Sequence, residues 1–203
     1  MLDFLVGLLL FIYGIALCFI LFHSLSDAHL IYHYLVSFRK KRAFITSEDQ
    51  PYVTIQLPLY NELYVAERLI DAVAAIDYPA EKLEIQVLDD STDETTDVIA
   101  EKVARLQERG INIRHIRRDS RIGFKSGALK HGLSLAKGEF IAIFDADFVP
   151  PKDFLLKVLA YFSNKEVGMV QTRWGHINSA ASLFTSLQAL ALDGHFSIEQ
   201  TGR

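Results

Sequence analysis

The chain has one cysteine, Cys18, and it lies in the most apolar segment. No disulfide can form within a single copy, which favours a cytosol-facing domain over a secreted one. There is no excess of basic charge either. Lys and Arg number 21 against 25 Asp and Glu, a formal net charge of -4. No basic face with interleaved aromatics occurs, so nucleic acid is not an expected partner. No GxGxxG follows the first β-rich run, which sets aside a dinucleotide oxidoreductase, and no GxxxxGK followed by Ser or Thr occurs, which sets aside a P-loop. Internal repeats and low-complexity stretches are absent too. What remains is 203 residues, half of them hydrophobic, enough for one ordinary domain and an anchor.

The anchor is the run Phe4 to Phe22, which carries no charged residue. A bilayer core needs about 20 such residues. A signal peptide would begin with basic residues and end at a small-residue cleavage site, whereas this start carries Asp3 and no base. The reading is a retained transmembrane helix over 1–23. Residues 24–50 follow as a juxtamembrane segment, with aromatic, amphipathic Leu30 to Leu35 suited to the interface and a basic run at Arg39-Lys40-Lys41-Arg42. The positive-inside rule puts the rest of the chain in the cytoplasm, with the plasma (inner) membrane as the expected location and membrane lipids as partners. His29 and His33 are four apart and could ligate a metal, but an interfacial role suits them better.

From Pro51 onward, strands alternate with helices. Short β-rich runs cover Tyr52 to Leu57 (ended by Pro58), Leu83 to Leu88, Ile111 to Ile116, Phe140 to Phe144 and Val167 to Gln171. Helical patterns cover Val65 to Ala75, the stretch to Arg109, Ser126 to Ala136, Phe154 to Phe162, and Ser182 to about Ser197. Ser91-Thr92-Asp93-Glu94 reads as a capping box that starts the second of these. The alternation implies an α/β fold with a mostly parallel sheet covered on both faces, whose ligands bind beyond the carboxyl ends of the strands.

Acidic residues gather at those ends. Asp145-Ala146-Asp147 closes the fourth strand, Asp89-Asp90 the second, and Asn61-Glu62 the first. Two carboxylates at i and i+2 on a strand share one face and can reach one cation. Mg²⁺ typically takes only one or two carboxylates and completes its shell with phosphates and water. The pattern therefore points to a metal-diphosphate site in one crevice. The same stretch imitates the first motif of haloacid-dehalogenase-type phosphatases, but there the motif closes the first strand of its domain.

Five segments in order carry a resemblance. They are Gln56 to Glu62, Gln86 to Asp93, Gly123 to Leu129, Ile143 to Phe148, and Val170 to Trp174. Together they resemble family 2 glycosyltransferases with a GT-A (Rossmann-like) fold, nearest to the cellulose-synthase-like branch of mannan and glucan synthases. The resemblance covers about three quarters of the chain. It implies a cytosolic nucleotide-sugar-binding domain over 51–203. The donor would be UDP-glucose or GDP-mannose, the cofactor Mg²⁺ or Mn²⁺, and the acceptor a growing β-linked glycan, with a lipid acceptor or a non-catalytic nucleotide-sugar-binding protein as alternatives. It also implies roles for single residues. Asp145 and Asp147 would hold the metal. Pro58, Tyr60, Glu62, Asp89, Asp90, Lys125 and Asp145 would hold the nucleotide sugar, with Asp89 and above all Asp90 on the base and ribose, Tyr60 and Glu62 flanking the base, and Lys125 meeting the base or diphosphate.

Two family features are missing. Neither a TED motif, which would bring the catalytic base, nor a QxxRW motif occurs; Gln171-Thr172-Arg173-Trp174 is one residue short of the latter. Asp193 to Gln200 resembles the helix before the acceptor region. The expectation is an amino-terminal fragment of a longer synthase, able to bind donor and metal but poor in turnover.

Overall fold

The computed structural model describes residues 2–38 and 50–196. Two compact units divide the chain, one drawn from Met1–Ala43 and Gln171–Arg203 and the other from Phe44–Val170.

The first unit begins with α1, Leu2–Phe38. It is continuous past residue 22, because no glycine or proline interrupts Ile15 to Phe38. The segment expected to follow the anchor as an interfacial piece therefore extends the same helix. At about 1.5 Å per residue α1 is longer than a bilayer core of about 30 Å. It is long and apolar enough to cross a membrane over Asp3–Val36. The basic run Arg39 to Arg42 lies outside the described residues. α6, Leu183–Gly194, starts where the sequence predicts, with Ser182 and Thr185 forming a reciprocal capping box. Trp174 packs on Phe196 with ring centroids 5.2 Å apart. The end of the segment Asp193 to Gln200, from residue 197 on, lies outside the described residues.

The second unit is built on β1 (Val53–Leu59), α2 (Ala66–Ala74), β2 (Leu83–Asp89), α3 (Thr95–Glu108), β3 (Ile113–Ile116), α4 (Phe124–Leu135), β4 (Phe140–Ile143) and α5 (Phe154–Leu159). Among the described residues the sheet has four strands in the order β3-β2-β1-β4, all parallel. The order reverses between β1 and β4, the place where open α/β sheets form a ligand crevice.

Alternation along β1 and β2 sorts the two faces of the sheet. Val53, Ile55, Leu57 and Leu59 of β1 join Ile85 and Val87 of β2 in the core. Leu69, Ile70 and Val73 of α2 and Ile99, Val103 and Leu106 of α3 complete it. Truncating such a buried Ile or Leu to Ala costs about 2–5 kcal/mol. The other face is buried but polar. Thr54 donates to Glu84 at 2.8 Å and Gln56 to Gln86 at 3.1 Å, each pair directly opposite in register. α4 lies against this layer through Gly132, where a Cβ would meet Gln56 Nε2 at 2.7 Å and Gln86 Oε1 at 2.9 Å.

Three details differ from the sequence reading. First, Pro58 lies inside β1 instead of ending it. Its neighbours of the same parity bond toward β4, where the Phe144 N–H donates to the Gln56 carbonyl at 3.2 Å. Pro58, which has no N–H to give, falls just where β4 stops at Ile143, so the ladder ends there without breaking a rung made earlier. Second, α3 starts at Thr95, not at Ser91. Ser91 is fully buried and its hydroxyl accepts from the Asn61 N–H at 3.0 Å, tying the ends of β1 and β2 together instead of capping a helix. Third, Val167 to Gln171 forms no strand. Met169 is 80 % exposed, and the boundary between the two units falls within the run, at Val170–Gln171.

Candidate functional site

A cleft of about 490 Å³ opens at the carboxyl ends of the strands. It is lined by Pro58, Leu59, Tyr60 and Glu62 after β1, Asp90 after β2, Arg121, Lys125 and Ala128 around the start of α4, and Asp145, Ala146 and Asp147 after β4. Loops far apart in sequence thus converge at the reversal of strand order. Seven of the expected site residues share this wall: Pro58, Tyr60, Glu62, Asp90, Lys125, Asp145 and Asp147.

Asp89 is not on that wall. Its carboxylate is buried and turned the other way, with Oδ2 2.9 Å from His115 Nε2 and Oδ1 accepting from the Ser91 N–H at 2.8 Å. Burial alone would raise its pKa. Hydrogen bonds from His115 and Ser91, and the attraction of His115, outweigh that and hold it down at about 2. Its work is local: it fixes Ser91, and Ser91 fixes Asn61. The Asn61 side chain in turn accepts from the Thr92 N–H at 2.9 Å, with Asn61 itself at φ +54°.

Asp90 does face the cleft, but its charge is matched. Arg118 grips it with two N–H groups, Nε to Oδ1 at 2.7 Å and Nη2 to Oδ2 at 2.5 Å. Both side chains are nearly buried, at 12 % and 7 % exposure. The carboxylate beside it raises the Arg118 pKa further. Arg118 also donates to the carbonyls of Ile122 at 2.7 Å and Phe124 at 2.8 Å, so one guanidinium ties the end of β2 to the loop that starts α4. Gly123 gives that loop its turn at φ +76°. Gly127 lets it pack back on the helix, since a Cβ there would sit 2.0 Å from the Ile122 carbonyl oxygen.

Arg121 escaped the sequence reading. Its Cζ lies 3.2 Å from the centroid of the Tyr60 ring and 5.1 Å from that of Phe124. A planar cation on an aromatic face is an attractive contact that also keeps Tyr60 in place at the cleft. Three arginines at 117, 118 and 121, just ahead of the Gly123-Phe124-Lys125 turn, were the available signal.

Asp145 and Asp147 do not sit on a strand face as expected. β4 has ended, and they lie in a turn closed by the Phe148 N–H on the Asp145 carbonyl at 3.1 Å. The turn, rather than strand alternation, puts both on the cleft wall. Asp147 is exposed, and Asp145 is 42 % exposed and paired with the Lys125 ammonium. Among the described residues no cluster of three or more metal-ligating side chains occurs. A divalent cation here would rest on two carboxylates, and the residues fit that use. They are hard oxygen donors, and one already holds a cationic group. The lining as a whole carries four carboxylates against two cationic side chains.

Comparison with known proteins agrees with this geometry. Residues 54–200 match the family described as Glycosyl transferase family 2. Glucomannan 4-beta-mannosyltransferase 1 of Cyamopsis tetragonoloba is 41 % identical over 165 residues, covering 79 % of this chain and 31 % of that protein. Glucomannan 4-beta-mannosyltransferase 9 of Arabidopsis thaliana is 43 % identical over 155 residues, covering 74 % and 29 %. The chain thus spans about a third of the length of these relatives. Among solved structures, the mannosyltransferase PcManGT from Pyrobaculum calidifontis, in complex with GDP-Man and Mn²⁺, superposes with a TM-score of 0.59 at 29 % identity, covering 74 % of this chain and 46 % of that one. S. aureus TarS shares the fold, with a TM-score of 0.53 at 22 % identity over 62 % of this chain and 22 % of that one. The parallel α/β sheet is of the GT-A type.

Proposed function

The chain belongs to glycosyltransferase family 2, and from that premise we propose that it carries the donor- and metal-binding half of a membrane-anchored, inverting mannosyltransferase that extends a β-linked glycan from GDP-mannose. One observation carries the reading: side chains from the ends of β1, β2 and β4 and from the start of α4 line a single cleft. Of the two donors considered, GDP-mannose is favoured, because the relatives are named as mannosyltransferases and PcManGT holds GDP-Man.

The residues divide the work. Tyr60, held by Arg121, offers an aromatic face for the base, with Pro58 and Glu62 beside it. Asp90, fixed by Arg118, presents a set carboxylate edge near the base and ribose. Lys125 meets the diphosphate as a compact charge. Asp145 and Asp147 hold the divalent cation, which when bound supplies Lewis-acid stabilisation of the charge that builds on a departing diphosphate. An acceptor hydroxyl attacking from the opposite face would give the β-linkage, and that step needs a general base that none of these residues supplies.

The test is equilibrium binding to the purified full chain in detergent, with GDP, GDP-mannose, UDP and UDP-glucose titrated in the presence and absence of Mn²⁺. Mn²⁺-dependent binding that prefers GDP-mannose supports the reading. A preference for UDP-glucose would move the donor assignment to glucose, and no nucleotide binding at all would remove the site assignment.

A further inference from the structure

The geometry points to Lys125 as a counterion that changes partners: it holds Asp145 while the metal is absent and passes to the donor diphosphate when a divalent cation takes that carboxylate. This rests on the donor-site reading above and adds a coupling between the two ligands that the reading does not itself require.

The root of Lys125 is fixed. Its chain neighbours, Phe124 and Ser126, are both tied down. Arg118 holds the Phe124 and Ile122 carbonyls, and the Ser126 hydroxyl donates to the Gly123 carbonyl at 2.7 Å. The tight contact of Gly127 with the Ile122 carbonyl leaves this turn no room to slide. The tip is different. The Lys125 side chain is 54 % exposed, and its ammonium pairs with Asp145 Oδ1. A flexible four-carbon stem on a rigid base gives a short swing inside the cleft and little else.

Charge sets the direction of the swing. A divalent cation on the Asp145 carboxylate would lie within a few ångströms of the ammonium, and like charges at that range repel. The ammonium must withdraw. A diphosphate arriving alone meets a lining with more carboxylates than cations. Arriving with the metal, it meets a neutralised wall and a freed ammonium. Metal binding thus makes the donor site more positive twice over, by its own charge and by releasing Lys125. By linkage the donor must favour the metal to the same degree.

The variant Lys125→Met keeps the stem and removes the charge. In the full chain in detergent, Mn²⁺ alone, followed by electron paramagnetic resonance, should bind about threefold tighter, the size expected for loss of a competing exposed ion pair. GDP titrated at saturating Mn²⁺ should bind about tenfold or more weaker, because a charge-assisted contact to phosphate is gone. Opposite signs in the two titrations support the exchange. If Mn²⁺ binding is unchanged or weaker in the variant, or if GDP binding is unchanged or tighter, the exchange is overturned while the donor site stands. If the unsubstituted chain binds neither Mn²⁺ nor Mn²⁺ with GDP, the donor-site reading and the exchange fall together.

Discussion

Two pairs of acidic residues end two strands of one sheet, and the fold treats them in opposite ways. Asp89 is buried and Asp90 nearly so at the cleft edge, and both charges are matched within the protein, the first by His115 and Ser91 and the second by the two-pronged grip of Arg118. Asp145 and Asp147 stand in an open turn, the first paired with half-exposed Lys125. The same side chains in the same topological position thus do different work. A carboxylate whose charge the protein already neutralises shapes the site, while one left open to solvent can take a ligand.

The strongest way to sharpen this contrast is Asp147→Asn. Loss of one of two metal carboxylates should abolish Mn²⁺-dependent nucleotide binding, at least a hundredfold by titration. The thermal midpoint should stay within about 2 °C, because surface substitutions are usually within about 0.5 kcal/mol. Nucleotide binding that survives intact would break the assignment. Next comes Arg118→Ala. It strands the nearly buried Asp90 charge and frees two carbonyls, so denaturant unfolding should show a loss of about 3–5 kcal/mol. A loss under 1 kcal/mol would mean that Asp90 is solvated after all. The smallest effect belongs to Asp89→Asn, about 1–3 kcal/mol at neutral pH from disrupted buried hydrogen bonds. Its pH dependence is the sharper readout. The Asp89 carboxyl is depressed to about 2 in the fold against an ordinary value of 3.8. Its stabilisation is therefore complete above about pH 4 and is lost as pH falls through about 2. The unsubstituted chain should lose stability steeply across that window, and the asparagine variant should lose less. Parallel profiles would show that other groups carry the acid sensitivity.

Much of the site is legible in the sequence. Acidic residues at strand ends and the α/β alternation point to Glu62, Asp90, Asp145 and Asp147 around one crevice, and the resemblance to family 2 glycosyltransferases adds Pro58, Tyr60 and Lys125. The exceptions share a cause. Asp89 and Asp90 are adjacent in sequence, and nothing local says which will point into the cleft; strand alternation decides it, together with His115 from a neighbouring strand. The Ser91 capping signal failed because a tertiary partner, the Asn61 N–H, outcompeted the helix for the hydroxyl. Arg118 and Arg121 act across gaps of 28 and 61 residues in the chain, on Asp90 and Tyr60, so their roles follow from the fold and not from their neighbours.

Pro58 has a consequence for how the cleft stays open. In a parallel ladder the residue two beyond Gln56 would donate its N–H to the Phe144 carbonyl, adding a rung beyond the last one made. Proline has no hydrogen to give. The two strands therefore part like an unzipped seam, and the aspartate turn hangs from the fork instead of lying stitched along β1. An ordinary residue at position 58 would let the seam run one tooth further and draw the Asp145–Asp147 turn flat against the sheet.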